Sequence, residues 1–302
     1  MKERTRELEM ANTEIESQKE EIAAQRDEVE AQRDDLKTQR DMVILQKNEI
    51  IESINYAQRI QAAMLPPEPY LYELLDEAFV LFKPKDIIGG DFYWVKQLNQ
   101  YVILVAADCT GHGIPGALMS MLGMSFLNEI VQTREITKPS RVLDELRDQI
   151  KRTLRQHGQP DETKDGIEMA ICVLDKRKRI MQFAGAYNPL YLLQDENGVP
   201  QLKEIKGDRM PVGYFQGRPK PFVNHEIKLE IGDTFYIFSD GFIDQKGGKA
   251  NRKFMSKHFK NLLLKIHDHP LYEQKNILSQ TLDNWMDGHD QIDDILIIGG
   301  RV

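Results

Sequence analysis

The sequence has little cysteine: only Cys109 and Cys172 occur in 302 residues. Two cysteines are too few for the disulfide framework of a small secreted protein, so both are interpreted as small core or turn residues. No uninterrupted apolar run approaches the roughly 18 residues needed to span a bilayer. The charged start, Met1-Lys-Glu-Arg-Thr-Arg, leads to no apolar signal segment. We therefore expect a cytoplasmic protein without a membrane span of its own, or the cytoplasmic part of a larger sensor protein.

An excess of positive charge is also missing. The 40 Lys and Arg residues are outnumbered by 48 Asp and Glu residues, so the formal net charge is −8. Proteins that bind nucleic acid mainly through its phosphates carry the opposite sign, and we expect no nucleic-acid partner. The length allows one large domain with an appendage, or two small domains.

Glycine and proline are absent before Pro66, and an apolar residue recurs every seven positions through this region. These heptad residues are Leu8, Ile15, Ile22, Val29, Leu36, Val43 and Ile50. A glutamine follows three positions after most of them, at Gln18, Gln25, Gln32, Gln39 and Gln46. Sustained heptads predict a coiled-coil helix over residues 1–49 and a parallel homodimer with a weak seam. The alternative is a single solvated helix with a charged surface.

The apolar stripe broadens after Val43, so residues 50–69 are predicted to be a linker or switch helix. Pro66 and its neighbour should end that helix, because proline cannot continue it. We expect Ile54 and Ile60 to pack on the domain that follows and to carry a signal from an upstream sensor domain or protein.

Residues 70–302 contain both strand and helix patterns, which predict one α/β domain with mainly antiparallel sheets and inserted helix pairs. Apolar segments predict strands at 77–83, 92–96, 101–107, 167–174, 180–184, 189–193, 224–229, 234–238 and 294–298. Helical periodicity predicts helices at 116–132, 140–156, 252–266 and 272–286, with a surface loop at 208–221.

Aspartates recur at the ends of these apolar segments. They are Asp91, Asp108, Asp165, Asp240, Asp293 and Asp294. Each taken alone is explained as a turn aspartate, but aspartate is depleted in strands and a buried carboxylate is costly unless it is paired. Shared divalent cations explain the whole set. Carboxylate oxygens suit Mg²⁺ or Mn²⁺, whereas Zn²⁺ favours Cys and His.

The strings GGDFYW, DCTGHGIPGALMSM and FSDG, followed by DD before a terminal strand, resemble the metal-dependent PPM (type 2C) protein phosphatases. The match is to their bacterial SpoIIE-type branch and covers residues from about 50 to 302. The resemblance implies an α/β (α+β) fold of two antiparallel β-sheets sandwiched between helix pairs, here preceded by the long coiled-coil helix. It also implies hydrolysis of phosphoserine or phosphothreonine on a bacterial regulatory protein, such as an anti-anti-sigma-type partner.

The resemblance further implies two Mn²⁺ or Mg²⁺ ions that activate a water. By position, Asp91 and Asp108 hold the two metals as the catalytic pair, with Asp108 bridging, and Cys109 supplies a backbone carbonyl. Asp240 and Asp293 complete the second site. Two further aspartates have lesser roles by position: Asp294 would support the site, and Asp165 falls near a third, weaker metal of some family members.

The sequence departs from the animal-type relatives, which place a phosphate-holding arginine near the start of the domain. No arginine lies between Arg59 and Arg134. Lys83 or Lys85 could replace it, or could be solvated lysines at the end of a strand. His112 is a candidate general acid, although its position in a Gly-rich turn differs from that in animal relatives.

Two other functions remain open at this point. The chain could be a signalling scaffold that keeps the fold without binding metals. It could also be a nucleotide cyclase, because Gly89-Gly90-Asp91-Phe92 is similar to the GGDEF signature. In those cyclases an acidic residue follows the aspartate, whereas here an aromatic run follows it.

Overall fold

The computed structural model describes residues 2–159, 162–248 and 250–302. These residues form two compact units, Met1–Tyr56 and Ala57–Val302. From Lys2 onward the first unit is helical, as part of helix α1 (Lys2–Met64), which is 63 residues long. The helix forms because its residues are mostly good helix formers with neither glycine nor proline among them. It ends before Pro66, as expected.

The predicted heptad residues lie on the surface of α1, with exposed fractions between 48% and 65%. Three of the five glutamines of the same stripe form hydrogen bonds within the helix. Gln25, Gln32 and Gln39 each donate to an acidic side chain four residues earlier, at 3.5, 3.3 and 3.0 Å. The heptad residues therefore form an exposed apolar stripe along α1. Glutamine side chains interrupt this stripe, and three of them are hydrogen-bonded to acidic residues of the same helix.

The second unit contains thirteen strands within the described residues. They are β1 (Glu77–Lys83), β2 (Phe92–Leu98), β3 (Tyr101–Cys109), β4 (Gly166–Asp175), β5 (Ile180–Ala186), β6 (Leu190–Glu196), β7 (Val199–Ile205), β8 (Val212–Gly213), β9 (His225–Lys228), β10 (Thr234–Phe238), β11 (Lys246–Gly247), β12 (Arg252–Lys253) and β13 (Ile295–Arg301). Its remaining helices are α2 (Glu68–Leu74), α3 (Gly113–Leu127), α4 (Pro139–Thr153), α5 (Gly241–Asp244), α6 (Ser256–Ile266) and α7 (Leu271–Met286), and a π-helical turn (Asn128–Thr133) follows α3.

The strands form two main antiparallel sheets. One sheet has the order β1-β13-β10-β6-β7, and the other has the order β2-β3-β4-β5-β9, with β8 paired to β4. Three apolar layers hold the domain together: one between the second sheet and helices α3 and α4, one between the two sheets, and one between the first sheet and helices α6 and α7. The α-β-β-α sandwich implied by the resemblance is confirmed.

Strand β3 is buried on both faces, as its continuous apolar run predicts. Ile103 and Val105 face the helices, whereas Val102 and Leu104 face the other sheet. Burying each such side chain contributes about 1.5–3 kcal/mol. A strand fixed this firmly holds the residue at its end, Asp108, in one place.

Several elements differ from the expectations. Strand β7 has no predicted range of its own, although the turn at Asp195–Gly198 predicts a β-hairpin. Pro200 and its polar neighbours weaken the strand pattern, and they are tolerated since β7 lies at a sheet edge. Strand β8 lies within the expected loop at 208–221, and α6 begins at Ser256 rather than at 252. Helix α3 begins at Gly113, three residues earlier than expected.

One segment, Gly113–Thr133, is long and apolar enough to cross a membrane by length and composition alone. Half of it is buried within the domain, where α3 packs on the second sheet. This is the pattern of a core helix, which is apolar because it is covered.

Candidate metal centre

Both sheets end at one shared edge, and each brings carboxylates there. Asp108 is near the end of β3 in the second sheet, while Asp240 follows β10 and Asp293 precedes β13 in the first sheet. A cavity of about 190 Å³ opens between these ends. It is lined by Asp108, Cys109, Thr110, Gly111, His112, Glu168, Asp240 and Asp293. Five of the sequence-predicted residues are thus brought together: Asp108, Cys109, His112, Asp240 and Asp293.

Asp91 lies behind this cavity and is only 1% exposed. Its Oδ2 atom has no hydrogen-bond partner among the described residues. Burial, followed by the negative charge of Asp108, raises the pKa of the Asp91 carboxyl well above its usual value. A buried carboxylate oxygen without a donor is costly, so this atom is suited to a cation.

The carboxyl groups that line the cavity raise one another's pKa. Burial, then the charges of Asp240 and Asp293, raise the pKa of Asp108 to about 8. Burial, then Asp244 and Asp293, raise the pKa of Asp240 to about 6. So many negative charges in one partly desolvated space repel each other unless protons or cations neutralise them.

Glu168 was missed by the sequence analysis. It lies on β4 directly opposite Asp108 in the β3–β4 register and lines the same cavity. Burial and the charge of Asp240 raise its pKa to about 7. The available signal was a glutamate inside an apolar strand, Ile167-Glu-Met-Ala-Ile171, but only the register shows what it faces.

These residues fit hard divalent cations by their chemistry. The possible donors are carboxylate oxygens from four strand ends, together with the Oδ2 of Asp91, which has no hydrogen-bond partner among the described residues. Mg²⁺ and Mn²⁺ prefer such oxygen ligands. In the described parts of the chain, no three His, Cys, Asp or Glu side chains are already arranged to hold an ion. The carboxylates line one cavity but, because they repel one another, they do not close to ligand distances without a cation. The chemistry of the donors therefore decides the fit.

Asp294 anchors the loop that carries Asp91. Its Oδ1 accepts from the backbone N–H of Lys85 at 2.8 Å, and its Oδ2 accepts from those of Gly90 at 2.6 Å and Asp91 at 3.3 Å. It is 2% exposed and does not line the cavity. Its hydrogen bonds therefore join the end of the chain to the Gly-Gly-Asp loop.

Two glycines let the loops of the site approach each other closely. A Cβ at Gly90 would lie 2.7 Å from the carbonyl oxygen of Gly111, and one at Gly116 would lie 2.8 Å from the Cα of Gly90. The glycines of the two motifs are thus explained by backbone contact between the Asp91 loop and the start of α3.

The remaining candidates lie at or beyond the rim. His112 lines the cavity, and its Nδ1 is 3.0 Å from the Oδ2 of Asp86. The Nζ of Lys83 pairs with Asp283 at 2.9 Å, and neither it nor Lys85 lines the cavity. Asp165 also lies off the cavity lining, and its backbone carbonyl accepts from Gln156 at 2.7 Å.

The last turns of α1 touch the site through a glutamine. Gln61 is 6% exposed, and its Nε2 donates to the carbonyl oxygen of Gly89 at 2.7 Å and to the Oγ of Ser120 on α3 at 2.8 Å. The expectation that Ile60 packs on the domain is wrong, since Ile60 is 43% exposed. An amide makes the contact because it can donate to both the Asp91 loop and α3.

Comparison with known proteins gives one family and one fold. The model of the stage II sporulation protein E (SpoIIE) family matches residues 99–302. The SiaA-PP2C domain of Pseudomonas aeruginosa is 33% identical, with a TM-score of 0.75, over 85% of this chain and 98% of that one. The PP2C phosphatase domain with a regulatory fragment of SpoIIE from Bacillus subtilis is 14% identical, with a TM-score of 0.59, over 75% of this chain and 63% of that one.

A third similar structure is that of the RsbU and RsbW domains of Rv1364c from Mycobacterium tuberculosis. It is 21% identical, with a TM-score of 0.55, over 74% of this chain and 60% of that one. A structure of RsbX in complex with magnesium is 16% identical, with a TM-score of 0.50, over 74% of this chain and 94% of that one.

Proposed function

The chain belongs to the SpoIIE family and has the PP2C-type phosphatase fold, and on that premise we propose that it is a metal-dependent protein serine/threonine phosphatase. Its substrate would be a phosphoserine or phosphothreonine on a bacterial regulatory protein. The magnesium of RsbX supports the choice of Mg²⁺ or Mn²⁺. The cyclase alternative has no support in this family.

One observation carries the proposal: carboxylates from both sheets converge on one cavity beside a buried, unpartnered oxygen of Asp91. A side-chain nucleophile is not supported there. Cys109 is buried, and burial together with the charge of Asp108 raises the pKa of its thiol well above the usual value. A protonated thiol is a poor nucleophile, so the attacking group is assigned to water.

Asp91, Asp108, Asp240 and Asp293 would hold two ions, with the backbone carbonyl of Cys109, and Glu168 faces the same space. Such ions, when bound, would lower the pKa of a water and would offset the negative charge of the phosphate. The water gives up one proton as its oxygen forms a bond to phosphorus, and the bond from phosphorus to the serine oxygen breaks. The serine oxygen takes up one proton, so inorganic phosphate and a serine hydroxyl are released. His112 is the candidate donor, because its ring lines the cavity and Asp86 orients it.

Metal removal tests this proposal. We expect hydrolysis of p-nitrophenyl phosphate to stop in excess chelator and to return when Mn²⁺ is added, because the carboxylates alone cannot bind a phosphate dianion. Full activity in chelator would contradict the proposal. An inactive protein that retains the fold with and without Mn²⁺ would favour the scaffold alternative.

Mn²⁺ binding can also be tested without activity, through the melting temperature of the protein. Raised carboxyl pKa values mean that the folded, metal-free protein holds protons that the unfolded chain has already released. This contribution to stability is complete below the usual pKa of 3.8 and is lost as the pH rises through about 8, the pKa of Asp108. We therefore expect Mn²⁺ to raise the melting temperature more at about pH 8 than at about pH 5.5, where it competes with protons. An equal rise at both pH values would contradict the assignment.

We further propose that α1 is a dimerisation and signalling rod. The exposed apolar stripe supports a second copy of this chain as its partner. The seam glutamines keep the pairing weak, so that two arrangements can lie within a few kcal/mol of each other. Gln61 supports a route from the rod to the metal loop, since it bonds to both Gly89 and Ser120.

A double-mutant comparison tests the rod. Replacing the five seam glutamines, Gln18, Gln25, Gln32, Gln39 and Gln46, with leucine should strengthen the dimer and change Mn²⁺-dependent turnover several-fold. In a Gln61→Leu background, where the two hydrogen bonds are lost, the same replacement should no longer change turnover. Light scattering at tens of micromolar measures the assembly. A monomeric wild-type chain, or the same rate change in both backgrounds, would contradict this account.

A further inference from the structure

A second cavity of about 290 Å³ adjoins the metal-centre cavity. Asp240 lines both cavities, and Ser239 lines the second one beside it. Because Asp240 lines both cavities, a substrate whose phosphate lies among the carboxylates would have its neighbouring atoms next to the second cavity. The other side of this cavity comes from the turn between β5 and β6, from Glu204 near the end of β7, and from Lys206, Gly207 and Arg209 after β7.

This second cavity carries positive charge in an otherwise acidic protein. Lys206 and Arg209 line it, are exposed, and make no hydrogen bond or ion pair among the described residues. The carboxylate of Glu204, in the same lining, is held by Lys260 at 2.8 Å. Two cations thus remain available beside a cavity full of carboxylates.

The turn that faces these cations is strained and partly unsatisfied. Tyr187 has a φ of 60°, which is uncommon for a residue with a side chain, and its N–H donates to the carbonyl oxygen of Asp208 at 2.8 Å. Asn188 is 5% exposed, and its Nδ2 has no hydrogen-bond partner among the described residues. Strained residues held by their surroundings are concentrated at binding sites. A buried amide donor that lines a cavity is suited to a ligand carbonyl.

We propose that this second cavity is the subsite for the residues flanking the phosphoserine, and that it selects a peptide with acidic side chains there. The Nδ2 of Asn188 donates to a peptide carbonyl, Tyr187 packs against the peptide, and Lys206 and Arg209 take the acidic side chains. The carboxylates of the metal centre repel such a peptide, and the two cations offset that repulsion locally. This inference rests on the proposed phosphatase function.

Charge reversal tests the subsite. The probes are two synthetic phosphoserine heptapeptides, one with Asp and one with Lys on both sides of the phosphoserine, together with p-nitrophenyl phosphate, which has no flanking residues. Arg209→Glu should lower kcat/KM for the Asp peptide by about tenfold or more and raise it for the Lys peptide. Hydrolysis of p-nitrophenyl phosphate should stay within about twofold of wild type. The matched control is Arg177→Glu, which makes the same charge change at the far end of β4 and should leave all three substrates unaffected.

The outcomes separate the subsite from the phosphatase function. An equal loss on all three substrates would mean that Arg209 acts on the phosphate itself, and unchanged peptide preference would mean that the cavity does not bind the flanking residues; either result overturns the proposal. If wild type hydrolyses nothing, fluorescence anisotropy of the labelled Asp peptide still decides. Binding by wild type and by Arg177→Glu, but not by Arg209→Glu, supports the subsite, and equal binding by all three overturns it.

Discussion

Asp108→Asn should lower Mn²⁺-dependent turnover by roughly a thousandfold or more, because one uncharged amide then replaces the carboxylate at the centre of the cluster. Burial and the charges of four neighbouring carboxylates raise the pKa of Asp108, which shows that Asp108 lies among them. Asparagine has nearly the same shape, and removing one repelling charge should leave the melting temperature of the metal-free protein unchanged or raise it. The measurements are kcat on p-nitrophenyl phosphate, Mn²⁺ binding by calorimetry, and thermal unfolding.

Asp165→Asn is the matched control for this substitution. It makes the same chemical change at another predicted aspartate whose side chain does not line the cavity. We expect its Mn²⁺ affinity and turnover to stay close to those of wild type. Wild-type turnover in Asp108→Asn would refute the assignment of the metal centre, whereas a large loss in Asp165→Asn would point to a third metal.

Two adjacent aspartates should give opposite phenotypes. Asp294→Ala removes the acceptor of three backbone N–H groups, two of them at 2.8 Å or less. Leaving them without a partner costs on the order of 3 kcal/mol in total. In a domain of this size, that loss should lower the melting temperature by about 6–12 °C. The Gly-Gly-Asp loop should loosen as well, so Mn²⁺ affinity falls as a consequence.

Asp293→Asn should instead leave the melting temperature nearly unchanged and abolish most of the turnover. Asp293 lines the cavity, and its Oδ1 accepts from the backbone N–H of Asp294 at 2.9 Å, a bond that an asparagine oxygen keeps. Calorimetric unfolding and Mn²⁺ titration of both variants separate the two roles. If Asp294→Ala is as stable as wild type and loses only metal affinity, then Asp294 is a ligand rather than a loop anchor.

Local patterns in the sequence determined most of the elements and several members of the candidate site. The helix over residues 2–64 follows from composition and from the absence of helix breakers, and β3 follows from its uninterrupted apolar run. Asp108 and Asp240 stood out because a carboxylate at the end of a buried strand needs a partner. These inferences depend on residues that are close in the chain, which is the information that periodicity and spacing carry.

Only the tertiary structure decided what those residues contact. Glu168 faces Asp108 because of the register between two strands about 60 residues apart, and Asp294 holds the Lys85 and Gly90 amides across more than 200 residues of chain. The subsite at Asn188 and Arg209 likewise exists only where a turn, a loop and the end of β10 meet. Such contacts are set by the packing of the two sheets on each other, which places residues that are distant in sequence at one edge. No local pattern encodes that packing, so the sequence identified the aspartates, while the fold added Glu168 and gave each carboxylate its neighbours.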